Sequence, residues 1–166
     1  MNDTLFFDIC REQYTAQFQM LRRAMEHCPD PLWDERAGEP PLWQQVYHTL
    51  WATDFYLTDA PDQFRRPAFA EEGWAKLNET PRSAAARGDL QGYLEATTRK
   101  CETFLDEIAK GARALALDQK NPFGWTGPTV AHRLVYNLRH AQHHIGRINS
   151  ILSRHGAKAA DWICRL

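Results

Sequence analysis

Apolar residues recur at three- and four-residue steps in four separate stretches of the chain. In the first, Leu5, Ile9, Cys10, Phe18, Leu21 and Met25 follow the repeat of an amphipathic helix. Asn2 and Asp3 are residue types whose side chains accept from the free N–H groups of a first turn, so the helix is expected from there to about Cys28. Pro29 and Pro31 lack the backbone donor that would continue it, and Pro29-Asp30-Pro31-Leu32-Trp33 reads as a turn. Ala37-Gly38-Glu39-Pro40-Pro41 is a second break, with Pro41 suited to the first position of the next helix.

That second helix, Pro41 to Leu57, is apolar on more than one side. Leu42, Val46, Thr49, Leu50, Thr53 and Leu57 form one stripe, and His48, Trp51 and Phe55 form another flank. Such a helix is covered on several sides. Trp51 and Phe55 either pack as plain core or line a pocket or a partner subunit. Residues 58–87 are irregular, broken by Pro61, Pro67, Gly73 and Pro81 and interspersed with Phe64, Phe69 and Trp74. Longer than an ordinary connection, this segment is a crossover or a lid, with Trp74 as its anchor.

A third helix is expected from Asp89 as N-cap, through Leu90, Tyr93, Leu94, Thr97, Cys101, Phe104, Leu105 and Ile108, to Lys110, with Gly111 just past its end. The fourth runs from Thr126 or Pro128 to His155, on a stripe of Leu134, Leu138, Ala141, Ile145, Ile148 and Leu152. The tail from Ala157 is expected to pack back through Trp162 and Ile163. Val, Ile and Thr nowhere alternate over a strand's length. The chain therefore reads as all-α: a single domain over 1–166, a four-helix bundle with a long connection between helices 2 and 3.

Composition narrows the function classes. The 166 residues carry 43% hydrophobic and 25% charged side chains and a net charge of −1, a soluble globular profile with no global field for nucleic acid or an anionic membrane. No run is apolar enough to span a bilayer. The N-terminal residues lack the basic and apolar regions of a signal peptide, which makes the cytoplasm the expected location. The four cysteines, Cys10, Cys28, Cys101 and Cys164, show no CxxC spacing and read as small hydrophobes. Charge is segregated: residues 1–81 hold 7 Lys/Arg against 14 Asp/Glu, and residues 128–166 hold 6 against 1. That pattern suits complementary packing of helices, or a mildly positive rim around a pocket.

The candidate chemistry lies in the last helix, at Asn137-Leu138-Arg139-His140-Ala141-Gln142-His143-His144-Ile145-Gly146-Arg147. Measured from the stripe centred on Leu134 and Leu152, His144 falls about 80°, His140 about 120° and His143 about 180° away. The i, i+4 pair His140 and His144 thus occupies the shoulder of the apolar face, and His143 points to solvent. A third imidazole is available from His48. Histidines on the shoulders of two helices are harder to explain as ordinary surface residues than the pair alone. Neutral imidazoles bind Zn²⁺ or Ni²⁺, and three protein ligands leave a position open. Ala141 follows His140 where the HExxH protease motif has Glu. Asn137 and Arg147, one turn before and one turn after the pair, are candidates to support the ligands.

Val46-Tyr47-His48-Thr49-Leu50 and His140-Ala141-Gln142-His143-His144-Ile145-Gly146-Arg147, with the turn Pro29–Trp33, resemble the DinB-like (DinB/YfiT) superfamily over most of the chain. The resemblance implies a four-helix bundle, commonly dimeric, with a divalent metal held by His48, His140 and His144. It also implies thiol-dependent transferases or isomerases using low-molecular-weight thiols, and presumed hydrolases. Arg147 departs from the Gln or His usual after the glycine. No recognition helix or aromatic–basic platform points to nucleic acid. The expected function is a metal-dependent S-transferase or hydrolase acting on a small molecule. The alternative is a non-catalytic metal-binding or dimeric interaction bundle, for which the lack of an obvious general base speaks.

Overall fold

The side chains that close the interior come from four long helices. In the computed structural model, which describes residues 3–36, 40–113 and 115–164, these are α1 (Asp3–His27), α3 (Leu42–Tyr56), α4 (Arg87–Ala109) and α5 (Val130–Arg154), with the one-turn α2 (Asp30–Trp33) between the first two. α1 packs on α4 and α5, and α3 packs on the same two. The four make a closed ring of neighbours with α1 diagonal to α3 and α4 diagonal to α5. Among the described residues no strand forms; Lys120 and Thr129 make one isolated antiparallel bridge. The all-α expectation holds.

The inner surface is apolar and contiguous. Leu21, Leu42, Trp43, Tyr47, Leu50, Leu90, Phe104 and Leu134 are all fully buried within it. Two expectations about this face change. Leu5 and Ile9 are 58% and 48% exposed, whereas Phe7, Cys10 and Tyr14 face inward. The buried repeat 7, 10, 14, 18, 21, 25 puts Leu5 and Ile9 about 100° or more off the packed side. Trp162 is 67% exposed. The tail is pinned instead at Ala160, whose N–H donates to Asn149 Oδ1 at 2.9 Å, and Ile163 packs against the core.

Helix boundaries shift by a few residues. Asp89 is not the cap of α4: Ala86 is, and Asp89 lies in the first turn, where its negative charge meets the positive end of the helix dipole. Arg87 draws the start forward, bonding the Met25 and Cys28 carbonyls and lying 4.3 Å over the Trp33 ring. Pro41 caps α3 rather than beginning it, and Thr129 caps α5. The expected turn at Pro29–Trp33 closes into α2. Gly111 has φ 64 just after the C-cap Lys110, the left-handed step expected there. The expected capping role of Asn2 and the break at Ala37-Gly38-Glu39 lie outside the described residues.

The connection between α3 and α4 folds back over α3. Trp74 is 4% exposed, edge-on to Trp43 and Tyr47 at centroid distances of 5.1 and 5.5 Å. Gln44 of α3 donates to the Lys76 and Glu79 carbonyls. Gly73, with φ 88, makes the reversal that delivers Trp74, a backbone state in which a side chain is strained. This pinning fixes the Ala75 carbonyl above α3, next to His48.

Candidate metal centre

α3 and α5 are direct neighbours, and their facing shoulders carry the histidines. His48 comes from α3, with His140 and His144 one turn apart on α5. Ring centroids stand 4.4 Å (His48–His144), 4.7 Å (His140–His144) and 5.2 Å (His48–His140) apart. One nitrogen from each ring lies within 4.8 Å of the others. His144 is buried, His48 and His140 are half-buried, and His143 is exposed, as helical phase predicts.

Two of the three rings are oriented by hydrogen bonds. His48 Nδ1 lies 2.7 Å from the Ala75 carbonyl, and His144 Nδ1 lies 3.2 Å from Gln45 Oε1. Both partners are acceptors, so in each ring the proton sits on Nδ1 and the lone pair on Nε2. This is the tether that holds a ligating imidazole in its tautomer. His140 Nδ1 is buried without a hydrogen bond to the described residues. Its ring is held instead by stacking on Tyr136, at 6.2 Å and 8°.

Electrostatics keep the cluster neutral. Burial is the leading cause, followed by the neighbouring imidazoles; together they lower His140 to about 4 and His144 to about 3. His48 is lowered by burial, against the Ala75 hydrogen bond, with Arg147 adding to the shift. All three rings therefore hold free lone pairs at neutral pH, the form an ion requires. His48 Nε2 and His140 Nε2 are 3.4 Å apart. Two nitrogens bound to one tetrahedral ion at about 2.0–2.1 Å each stand about 3.3 Å from one another. Donor type, protonation state and spacing thus fit a divalent ion.

The family profile of the DinB superfamily matches residues 13–148, a span that holds all three histidines and most of the four long helices. The chain belongs to the DinB superfamily. A comparison with curated proteins gives no match. In this DinB-superfamily chain the remaining sequence candidates separate. Trp51 and Phe55 stand half-buried on the flank of α3 beside the cluster, with the Trp51 ring 6.4 Å from that of His48. Arg147 is exposed, and its charge acts on His48 and His144. Asn137 is fully buried and reaches the Thr53 carbonyl at 3.5 Å, on the interior side of α5.

Two supports escaped the sequence. Gln45 precedes His48 by three residues, so the i, i+3 rule places both on one face; that spacing was the available signal. The Ala75 carbonyl has no side chain to announce it, and it comes from an irregular segment 27 residues downstream.

Proposed function

We propose that this DinB-superfamily protein is a metal-dependent enzyme that uses a divalent ion, zinc or nickel, held by His48, His140 and His144, to transfer a thiol to a small molecule or to hydrolyse one. The observation that carries the reading is the convergence of three neutral imidazoles, two of them fixed in their tautomer from outside. When bound, such an ion lowers the pKa of a thiol or water so that a nucleophile forms at neutral pH. The protein's own groups supply the rest. Gln45 and Ala75 hold the Nδ1 protons of His144 and His48. The rings of Trp51 and Tyr136 lie against those of His48 and His140 and help to hold them in place. Arg147 puts a positive charge at its edge, where a thiolate or a carboxylate of a low-molecular-weight thiol would be favoured. The family resemblance extends the proposal to a homodimer.

A second reading has one observation in its favour. The described groups that act on the three imidazoles are other imidazoles, Arg147 and neutral acceptors, with no carboxylate among them, so a general base is missing. A non-catalytic metal-binding bundle needs none. Metal analysis of untagged protein, followed by conjugation assays with several cellular thiols and an electrophile, separates the two. The enzymatic proposal expects one ion per chain and thiol conjugation that disappears in His140→Ala. One ion per chain with neither thiol conjugation nor hydrolysis of the electrophile favours the binding protein. No metal at all removes both.

A further inference from the structure

Resting on the proposed metal site, we infer that Trp74 and Gln44 are positioning residues for it: acting through the Ala75 carbonyl, they join ion uptake and docking of the α3–α4 connection into one linked equilibrium. His48 is tethered from an irregular segment, its Nδ1 2.7 Å from the Ala75 carbonyl. The partner of His144, by contrast, is Gln45 on α3 itself. A main-chain carbonyl outside a helix is only as fixed as the segment that carries it. The orientation of His48 therefore depends on what holds residues 74–79 against α3.

Two pins do so, one on each side of Ala75. Trp74 is buried edge-on to Trp43 and Tyr47. Its indole N–H makes no hydrogen bond to the described residues, so the ring holds the segment by packing. Gln44 Nε2 donates to the Lys76 and Glu79 carbonyls at 3.0 and 3.2 Å. Gln44 precedes His48 by four residues, which puts clamp and ligand on one face of α3. Between the pins and beyond them the packing is thin. The chain spans a cavity of about 270 Å³ lined by Arg36, Pro40, Gln44, Leu77, Asn78 and Thr80, and Lys76 pairs with Glu79 at the exposed surface. Such a stretch opens locally at low cost. An ion on His48 Nε2 requires the proton on Nδ1, where the Ala75 carbonyl accepts it. The docked carbonyl in turn presents the Nε2 lone pair. By reciprocity, the factor by which docking tightens the ion is the factor by which the ion favours docking. Losing an outer hydrogen-bond partner costs about 10- to 100-fold in metal affinity, so a coupling of about tenfold is expected.

The test is amide hydrogen exchange of the full chain, metal-free and saturated with zinc, read by mass spectrometry. The reporters are the Lys76 N–H, bonded to the Gly73 carbonyl at 2.8 Å, and the Glu79 N–H, bonded to the Lys76 carbonyl at 3.0 Å. Zinc is expected to slow exchange over 74–79 about tenfold, while the turn at Gly111 and Ala112 after α4 keeps its rate. The slowing is expected to vanish in His48→Ala. Trp74→Ala is expected to weaken zinc binding about tenfold, measured by competition with a chromophoric chelator. Trp74→Phe is expected to stay near the wild type, because a ring is kept and no hydrogen bond is lost. A merely structural Trp74 would lower the melting point of the metal-free chain and leave zinc affinity and exchange alone. Zinc bound with unchanged exchange over 74–79 overturns the inference, as does equal slowing along the whole chain, slowing that persists in His48→Ala, or wild-type affinity in Trp74→Ala. Should Trp74→Ala fail to fold, the wild-type exchange comparison decides by itself. A wild-type chain that binds no zinc fails differently: it removes the metal site, and the linkage with it.

Discussion

The α3–α5 and α1–α4 interfaces both bury groups that titrate, and burial has opposite chemical consequences in the two. Between α1 and α4, Cys10 and Cys101 are 1% and 2% exposed. Desolvation raises Cys10 to about 12, against the nearby Arg11 charge, and raises Cys101 as well, with Cys10 and Glu102 adding to the shift of Cys101. Their protons stay on, and a protonated thiol is neither nucleophile nor ligand. Between α3 and α5 the same desolvation strips the proton from His140 and His144, and a neutral imidazole is a ligand. A low-dielectric interface thus silences an acid that must ionise to react and readies a base that must lose its proton to bind. The second difference is access. The thiols are closed off, whereas His48 and His140 are half-buried.

The largest break in this comparison is His144→Ala. It removes the most buried of the three proposed ligands and is expected to weaken zinc or nickel binding by more than the roughly 100-fold typical of losing a ligand's outer hydrogen-bond partner. Cys101→Ala, on the other interface, is expected to leave metal content at the wild-type level. Metal analysis after dialysis against a chelator and refilling measures both. Retention by His144→Ala, or loss in Cys101→Ala, would put the ion elsewhere.

Gln45→Ala sharpens the claim that tethering, and not proximity alone, makes the site. The Gln45 amide oxygen is the recorded partner of His144 Nδ1. Without it the ring can swing and take the other tautomer. The expected cost is about 10- to 100-fold in metal affinity, read by competition with a chromophoric chelator, with near-wild-type melting of the metal-free chain. Gln45→Glu should recover much of the loss, since a carboxylate accepts the same proton.

The two interfaces differ in how far they could be read from the sequence, and the reason is range. His140, His143 and His144 lie on one helix, so a 100° step per residue sorts inward from outward. His144 is buried and His143 exposed, as that step requires. His48 needed a second helix and a register between the two, which the sequence supplies only as a face. The Ala75 carbonyl was invisible because its role depends on the path of an irregular segment pinned by Trp74 and Gln44. Helix ends moved for a similar cause: Arg87 begins α4 through contacts with Met25 and Cys28, far away in sequence. Leu5 and Ile9 looked apolar enough for the core but sit at the wrong phase.

A smaller effect is expected from pH. An unfolded histidine takes up its proton near 6.5, while His140 and His144 in the folded, metal-free chain resist to about 4 and about 3. Between those values the unfolded state binds more protons. Stability from these groups is therefore fully present above about pH 6.5 and is lost as pH falls toward about 4. The melting midpoint should drop over that window by on the order of 5 °C more than in a His140→Gln/His144→Gln variant. Equal slopes would mean that the cluster is wetter than its burial implies. A bound ion should flatten the upper part of the curve by competing with protons for the same lone pairs.

The smallest expected effect sharpens the silent interface. If burial alone keeps the thiols protonated, reactivity must follow exposure. Cys164 is exposed, while Cys10, Cys28 and Cys101 are buried, and the Cys28 thiol is raised by desolvation as well. A disulfide reagent at pH 8 is expected to titrate one fast thiol in the native protein and all four after unfolding. Modifying Cys164 should leave metal content unchanged, because that residue belongs to the tail and not to either interface. A second fast thiol at Cys101 would mean that the α1–α4 face opens. The two interfaces would then differ in the chemistry of their side chains alone, with access no longer part of the distinction.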